Sequence, residues 1–392
     1  MDRDMDRKRV FDKLAAHGVC GLQPYVPGKP NDELEREYGI TDALKLASNE
    51  NPLGPPPAVL EALRGELDAV ASYPDGSGYH LKQALSRKLG VAPEAITLGN
   101  GSNDVLVLLA ETFLEPGVEA IYDQYSFVIY RLVVQAADAV ARVAPSLPAD
   151  TPPRDGLALG HDLDAFRSLL SDRTRMIFIA NPNNPTGTWL AGDALYAFLE
   201  TVPEQTIVVL DEAYGEYVMR DDYADTRAWL EDFPNLVLTR TFSKIYALAG
   251  LRIGYALSHP DLAELLNRVR QPFNVNHLAQ VAARAALEAD AFVVRARRMN
   301  ADGLEYLTRA LTGLGYSVTP SIGNFVLVDV GEPAGGLYTA LLRAGIIVRP
   351  VANYGLPNHL RITVGLPEQN ARLVATLEGM RSSRVGSEAR SP

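Results

Sequence analysis

Short apolar runs alternate with amphipathic stretches through the middle of the chain. Buried strands are predicted for six of these runs, residues 95–98, 118–122, 176–180, 207–210, 236–239 and 253–257. Helical spacing of apolar positions marks the stretches between them, such as 104–114, 127–135, 163–170 and 193–199. Apolar strands that alternate with helices predict a mostly parallel sheet covered on both faces. Ligands are then expected beyond the carboxyl ends of the strands.

The pattern changes after residue 272. Two or more helices are predicted over 272–299, and a compact α+β unit is predicted from segments 317–330, 337–342, 346–348, 360–364 and 367–380. The predicted division is an N-terminal segment (1–45) that packs on the small domain, a large domain (46–288), a small domain (289–381) and a disordered tail (382–392).

Composition and charge narrow the class of protein. The chain has 392 residues, 47% hydrophobic and 22% charged, as in ordinary globular proteins. Its single cysteine, Cys20, cannot form an intrachain disulfide, which favours the cytoplasm. No apolar run approaches the roughly 18 residues of a membrane span, and no apolar segment of a secretory signal follows the charged residues 1–9. The net charge of −11 disfavours a general nucleic-acid partner.

Lysine is distributed unevenly along the chain. Residues 89–392 contain 24 arginines and one lysine, Lys244, whereas the first 88 residues contain six lysines. A general drift from lysine to arginine that spared one position by chance would explain this count. Alternatively, Lys244 is retained because a primary amine can become a neutral nucleophile and form an imine, whereas guanidinium stays protonated.

A carboxylate follows the predicted strand 207–210 directly. Asp211 begins the sequence Asp-Glu-Ala-Tyr, and an acid at the end of a buried strand needs a partner. The metal-binding acid of a P-loop ATPase is excluded, because the chain has no Gly-x-x-x-x-Gly-Lys-Ser/Thr loop. The protonated ring nitrogen of pyridoxal phosphate is a better partner, since this ring withdraws electrons from a carbanion at the substrate. Lys244 follows the next strand, at the same predicted edge of the sheet.

Three further segments are candidates for contacts with such a cofactor. Residues 98–103 join a strand to a helix through Gly99 and Gly101, so free backbone amides could bind a phosphate, although such a segment can also be a simple turn. Arg252 could neutralise the same phosphate or be a solvated surface arginine. Two prolines within 181–187 hold Asn184 in a defined orientation, either toward the cofactor's phenolic oxygen or in a turn without a ligand.

Together these motifs closely resemble the class I/II pyridoxal-phosphate aminotransferases of fold type I, in particular the histidinol-phosphate aminotransferase family. The ordered set is Asn-Pro-x-Asn-Pro-Thr-Gly, Asp-Glu-Ala-Tyr, Ser-Lys and a downstream arginine, and the resemblance extends from about residue 22 to 365. It implies an α/β fold, in which a mostly parallel seven-stranded sheet lies between helices in the large domain, beside a smaller α+β domain.

The resemblance also implies roles for individual residues. Lys244 is the expected Schiff-base lysine, Asp211 the partner of the ring nitrogen, and Tyr214 with Asn184 the pair at the ring hydroxyl. The other expected cofactor-binding residues are Ser102, Asn103, Phe127, Ser243, Arg252 and Tyr73. Tyr125 is the alternative to Phe127 for stacking on the ring. Tyr73 is expected to reach the phosphate of a partner subunit, which implies a homodimer with shared active sites.

The substrate contacts follow from the same resemblance. The expected residues are Tyr25, Asn49, Asn324, Arg349 and Arg361. Arg361 would clamp a carboxylate with two hydrogen bonds, and Arg349 would help the pocket hold a phosphate as well, unless it only faces solvent. The implied reaction moves an amino group between histidinol phosphate and 2-oxoglutarate in histidine biosynthesis, without a metal.

Three other functions remain open at this point. An aromatic amino-acid aminotransferase is the main alternative, and a decarboxylase of phosphate substrates is a more distant one. A non-catalytic cofactor sensor is disfavoured, because none of the expected cofactor residues is missing. A sensor fused to a DNA-binding domain would also need a further basic, helical segment of about 70 to 100 residues before the region of resemblance.

Overall fold

A computed structural model describes residues 10–152 and 156–388, with side chains described as far as 382. Its largest sheet has seven strands in the order β2-β8-β7-β6-β5-β3-β4. The strands are β2 (Ile96–Gly99), β3 (Glu119–Asp123), β4 (Val140–Ala144), β5 (Thr174–Ala180), β6 (Ile207–Asp211), β7 (Leu236–Thr241) and β8 (Gly254–Ser258). Neighbouring strands are parallel except where β8 lies antiparallel to β2 and β7. The predicted mostly parallel sheet is confirmed.

Helices cover both faces of this sheet. The helices after residue 30, including those that pack on the C-terminal part of the chain, are α1 (Asn31–Tyr38), α2 (Pro57–Gly65), α3 (Tyr79–Leu89), α4 (Ser102–Phe113), α5 (Val128–Ala136), α6 (Leu163–Ser168), α7 (Gly192–Leu199), α8 (Pro260–Val269), α9 (His277–Leu287), α10 (Asp290–Gly313), α11 (Gly335–Arg343) and α12 (Pro367–Glu388). Alternation along β5 explains the two layers, because Ile177 and Ile179 join one hydrophobic cluster while Met176 and Phe178 join the other.

Short 3-10 helices complete the connections. They are His17–Val19, Leu67–Ala71, Pro93–Ala95, Gly215–Tyr217, Thr226–Leu230, Ala249–Leu251 and Ala352–Tyr354. The one at Gly215–Tyr217 directly follows the Asp-Glu-Ala-Tyr segment, and it contacts α10 through a hydrogen bond from Arg297 Nε to Glu216 O of 2.8 Å. This contact ties the long helix to the strand end that carries Asp211.

The C-terminal part forms a second layer of strands and helices. Its four-stranded antiparallel sheet has the order β12-β13-β10-β9. The strands are β9 (Ser317–Thr319), β10 (Phe325–Asp329), β12 (Arg349–Pro350) and β13 (His359–Thr363), and a separate pair joins β1 (Leu44–Lys45) to β11 (Ile346–Ile347). Apolar residues of α10, α11 and α12 pack on this sheet in one cluster.

The N-terminal segment packs on this C-terminal layer in two places. Strand β1 pairs in parallel with β11, and Leu34 of α1 is fully buried in a small cluster with Leu342 and Ile347. Residues 1–9 lie outside the described part of the chain. These contacts explain why a short, polar segment is held in one place.

Two details differ from the sequence prediction. Strand β4 was not predicted, because at the edge of the sheet its residues are mostly exposed and form no apolar run. The predicted start of a disordered tail at residue 382 falls inside α12, which extends to Glu388, and no proline interrupts the helix there. Residues 389–392 lie outside the described part. Across the described residues, no helix has the length and apolar character needed to span a membrane.

Candidate active site

One pocket lies where the carboxyl ends of the central strands meet. Strand β5 ends beside Asp211 of β6, and the segment after β7 carries Lys244. Twelve of the predicted site residues line this central pocket: Tyr25, Asn49, Ser102, Asn103, Phe127, Asn184, Asp211, Tyr214, Ser243, Lys244, Arg252 and Arg361. The order of the strands therefore brings together residues that are up to 336 positions apart in the chain.

Lys244 lies inside the pocket with its amine in a poorly solvated position. Its Nζ donates to the backbone oxygen of Ser48 at 3.2 Å and lies 5.6 Å from the ring centre of Tyr214. Burial, together with the positive charges of Arg361 and Arg252, lowers the pKa of Lys244 to about 7. A large fraction of this amine is therefore neutral near pH 7, as a nucleophile requires.

Asp211 occupies the end of β6 and is almost fully buried. Its Oδ2 accepts a hydrogen bond from the phenol of Tyr130 at 2.8 Å. Oδ1 has no hydrogen-bond partner within the described part of the chain. Burial raises the pKa of Asp211, and the hydrogen bond from Tyr130, together with weaker polar contacts from Thr239 and the backbone N–H of Ala213, opposes that rise. A cationic N–H group in the pocket would satisfy the orphaned oxygen.

Tyr214 stands between two carboxamides. Its hydroxyl oxygen accepts N–H donors from Asn49 at 2.9 Å and from Asn184 at 3.2 Å. Burial raises the pKa of Tyr214 to about 12, so the phenol stays protonated near neutral pH. Because both acceptor positions of the oxygen are used, its own hydrogen is available to a ligand of the pocket.

Arg361 on β13 reaches the opposite side of the same pocket. Nη1 donates to Asn184 Oδ1 at 2.6 Å and Nη2 donates to the backbone oxygen of Ala47 at 2.7 Å. The guanidinium lies 5.5 Å from the ring centre of Phe325, and its Nε has no partner among the described residues. The residue is 7% exposed, which leaves a buried, unneutralised cation that suits an anionic ligand.

Backbone amides and an arginine form an anion cup at the start of α4. Ser102 begins the helix, where backbone N–H groups have no partner within the helix. Arg252 Nη1 donates to Ser243 Oγ at 3.3 Å. The cup is tightly built, because a methyl group at Gly101 would lie 2.4 Å from Arg252 Nη2, and one at Gly254 would lie 2.3 Å from Ser102 N.

Phe127 and Tyr125 differ in their relation to the pocket. Phe127 lines it, and its ring meets Tyr130 edge-on with centroids 6.1 Å apart. Both Phe127 and Tyr125 pack against a cluster that contains Leu159 and Tyr354. Of the two candidates for stacking, Phe127 is the one that lines the pocket.

Three predicted residues lie outside the central pocket. Tyr73 is 83% exposed and stacks on Phe273 with centroids 4.7 Å apart. Asn324 donates through Nδ2 to Asn49 O at 2.9 Å and thus contacts the pocket indirectly. Arg349 lines a second cavity beside the first, where it donates to Val26 O at 2.6 Å.

The second cavity shares a wall with the central pocket. Tyr25 lines both, and the Arg349 guanidinium lies 5.6 Å from the centre of its ring. Arg349 is 9% exposed, so the alternative that it only faces solvent is wrong.

Three important residues were not predicted from the sequence. Tyr130 donates a hydrogen bond to Asp211, and the backbone oxygen of Ser48 accepts one from Lys244. Thr363 Oγ1 accepts a hydrogen bond from the backbone N–H of Asn49 at 2.9 Å and donates one to Asn49 Oδ1 at 3.1 Å. Tyr130 lies three residues after Phe127, within the stretch 127–135 that was predicted as a helix, and this spacing was the available signal.

Comparison with known proteins identifies the family. The model of the aminotransferase class I and II family matches residues 41–377. The chain belongs to this family. A histidinol-phosphate aminotransferase from Nitrosococcus oceani is 53% identical over 369 residues, which cover 94% of this chain and 97% of that protein. Another from Pseudomonas aeruginosa is 50% identical over the same shares of the two chains.

Solved structures agree with this class I and II assignment. A histidinol-phosphate aminotransferase from Sinorhizobium meliloti, in complex with pyridoxal 5'-phosphate, has a TM-score of 0.83 at 30% identity and covers 94% of this chain and 98% of that one. An aspartate aminotransferase from Thermus thermophilus with maleate has a TM-score of 0.77 at 25% identity, covering 93% and 98%. The predicted fold type I class is confirmed.

Proposed function

We propose that the protein is a pyridoxal-phosphate-dependent histidinol-phosphate aminotransferase. The observation that carries the proposal is one pocket that combines a lysine amine of lowered pKa, a buried carboxylate with an orphaned oxygen, and an anion cup. These groups fit the aldehyde, the ring nitrogen and the phosphate of pyridoxal phosphate, respectively. When bound, this cofactor supplies an electron sink that stabilises negative charge at the α-carbon of an amine substrate.

Each group of the pocket has a separate task in this proposal. The N-terminus of α4 with Ser102 and Asn103, together with Ser243 and Arg252, holds the phosphate. Asp211 Oδ1 would accept the N–H of the ring and so keep the nitrogen protonated. Tyr214 donates its phenolic hydrogen toward the ring hydroxyl, and Asn184 is the neighbouring donor.

Lys244 both binds the cofactor and moves the proton. Its amine, largely neutral at a pKa of about 7, would form an imine with the aldehyde of the cofactor, with loss of water. When a substrate amine takes over that imine, Nζ would be free to remove a proton from the substrate α-carbon and to deliver it to the former aldehyde carbon of the cofactor, on the other side of the imine nitrogen. The walls of the pocket, with Phe127 on one side, limit the access of water to this transfer.

Two observations support a preference for histidinol phosphate: the activity named for the relatives, and the presence of two arginines beside the pocket. Relatives of 50 to 53% identity carry that activity in their names. In this chain Arg361 lies in the central pocket and Arg349 in the adjoining cavity, with Tyr25 between them. Two arginines suit a dianionic phosphate, whereas 2-oxoglutarate would use Arg361 for a carboxylate.

The proposal includes an assembly and a division of the chain. Tyr73 is largely exposed and does not line the central pocket of its own chain, as expected of a residue that serves a partner's site, so we include a homodimer with shared sites. Asn49 and Asn324 are included as substrate-side residues. The division into 1–45, 46–288 and 289–381, and a cytoplasmic location, belong to the same proposal.

A panel of substrates tests the activity. The purified protein is supplied with pyridoxal phosphate and 2-oxoglutarate and assayed side by side with histidinol phosphate, phenylalanine and threonine phosphate, scoring both keto product and CO₂. We expect the highest kcat/KM for histidinol phosphate, with glutamate as the second product. A higher value for phenylalanine would identify an aromatic aminotransferase, and CO₂ from threonine phosphate would identify a decarboxylase. No turnover of any substrate, with cofactor bound, would favour a sensor.

A further inference from the structure

A buried tyrosine touches the carboxylate on which the electron sink depends. Tyr130 is fully buried on α5, and its hydroxyl donates to Asp211 Oδ2 at 2.8 Å. Burial and the neighbouring charge of Asp211 raise the pKa of Tyr130 well above its ordinary value, so this hydroxyl keeps its hydrogen. The tyrosine can therefore act toward Asp211 only as a donor.

The ring of Tyr130 is fixed by its neighbours. It stacks on Phe178 of β5 with centroids 4.9 Å apart and planes at 9°, and it meets Phe127 edge-on. Phe178 is itself fully buried. A ring held between two aromatic side chains keeps its hydroxyl at one point, and this point is one of the two oxygens of Asp211.

The two oxygens of Asp211 consequently have different tasks. Oδ2 accepts from Tyr130, whereas Oδ1, although buried, has no hydrogen-bond partner among the described residues. Asp211 itself lines the central pocket. A charge-assisted hydrogen bond at Oδ2 stabilises the ionised carboxylate against the cost of burial. It also restrains the plane of the carboxylate and leaves Oδ1 free to accept from a donor in the pocket.

We propose that Tyr130 is a positioning residue that keeps Asp211 ionised and turns Oδ1 toward the ring nitrogen of the cofactor. This inference rests on the proposed cofactor and adds a residue through which the chain controls it. Because Tyr130 acts through Asp211, removal of the Tyr130 hydroxyl should lower the affinity only for ligands that present an N–H to the carboxylate.

The test compares two ligands that differ at one ring atom. Full-length protein is loaded with pyridoxamine 5'-phosphate, which forms no imine with Lys244, or with its 1-deaza analogue, which has C–H in place of the ring nitrogen. Dissociation constants are measured by equilibrium dialysis for the wild type and for Tyr130→Phe. Because a buried hydrogen bond to a charged group is lost, we expect affinity for pyridoxamine phosphate to fall about tenfold or more.

The deaza analogue and a second variant provide the controls. Affinity for the analogue should change less than about threefold in Tyr130→Phe, since the carboxylate then has no N–H to bind. Tyr122→Phe removes the hydroxyl of another tyrosine in the same hydrophobic cluster and should leave both affinities unchanged. Equal losses for both ligands in Tyr130→Phe, or no loss for either, would overturn the positioning role. Failure of the wild type to retain pyridoxamine phosphate would instead contradict the proposed function.

Discussion

The anion cup has no room for one added carbon at Gly254. A methyl group there would lie 2.3 Å from Ser102 N, 2.7 Å from Gly101 C and 2.9 Å from Arg240 O. All three atoms belong to the backbone, so no side chain can rotate away. Ordinary contacts begin at 3.4 Å, and the start of α4 would have to move by about 1 Å.

Gly254→Ala should therefore reduce both stability and phosphate binding. Overpacking of this kind costs roughly 1–3 kcal/mol. Displacing the N–H groups of the cup weakens hydrogen bonds to a charged group, which contribute about 1.5–3 kcal/mol each. We expect a lower melting temperature and a ten- to hundredfold weaker affinity for pyridoxamine phosphate, by an order-of-magnitude conversion.

Gly250→Ala is the matched control, because a methyl group at this exposed position has no atom within 4 Å. Thermal melts and equilibrium dialysis on the two variants and the wild type measure both effects. The reasoning is refuted if Gly254→Ala melts and binds like Gly250→Ala. Loss of stability in both variants to the same degree would likewise show that close packing at the cup is not the cause.

Two further predictions concern Lys244 and Thr363. With a pKa of about 7 for Lys244, the rate at which the cofactor-free protein binds pyridoxal phosphate covalently should rise with pH and level off above about pH 7. A stopped-flow absorbance assay measures this rate, and a rise that continues to pH 10 would show that Lys244 has the pKa of an ordinary lysine. Thr363→Val leaves two buried polar groups of Asn49 without partners and should lower the free energy of unfolding by about 1–3 kcal/mol. Thr363→Ser keeps the hydroxyl and should retain most of the wild-type free energy of unfolding, so equal denaturation curves for the two variants would contradict this role.

Local patterns predicted the central sheet and a few residues of the pocket, and the family resemblance supplied the others. Strand β6 and Asp211 could be predicted because a continuous apolar run ends in an acid, and Lys244 because its neighbours supply the other parts of a cofactor site. Strand β4 was not predicted, because it lies at the edge of the sheet, where most of its residues are exposed and no continuous apolar run is required. The local signals are strong where a segment is buried on both faces, and weak at the edge of the sheet.

Contacts between distant segments could not be predicted in the same way. The backbone oxygen of Ser48 accepts from Lys244, and no residue type reveals which carbonyl will face an amine. Tyr130 has the composition of a core aromatic, and only the fold shows that its hydroxyl meets Asp211. Thr363 follows Arg361 by two residues on β13, so both side chains lie on one face of the strand, but their partners come from residues 47–49 and 184.

The central claim is that Lys244 forms the covalent link to pyridoxal phosphate, and trapping that link tests it most directly. The full-length protein, loaded with pyridoxal phosphate, is reduced with borohydride, digested and analysed by mass spectrometry. With only seven lysines in the chain, every candidate peptide can be followed. We predict one reduced phosphopyridoxyl group per chain, on Lys244. Its presence on another lysine, or its absence in a protein that still turns over histidinol phosphate, would contradict the account.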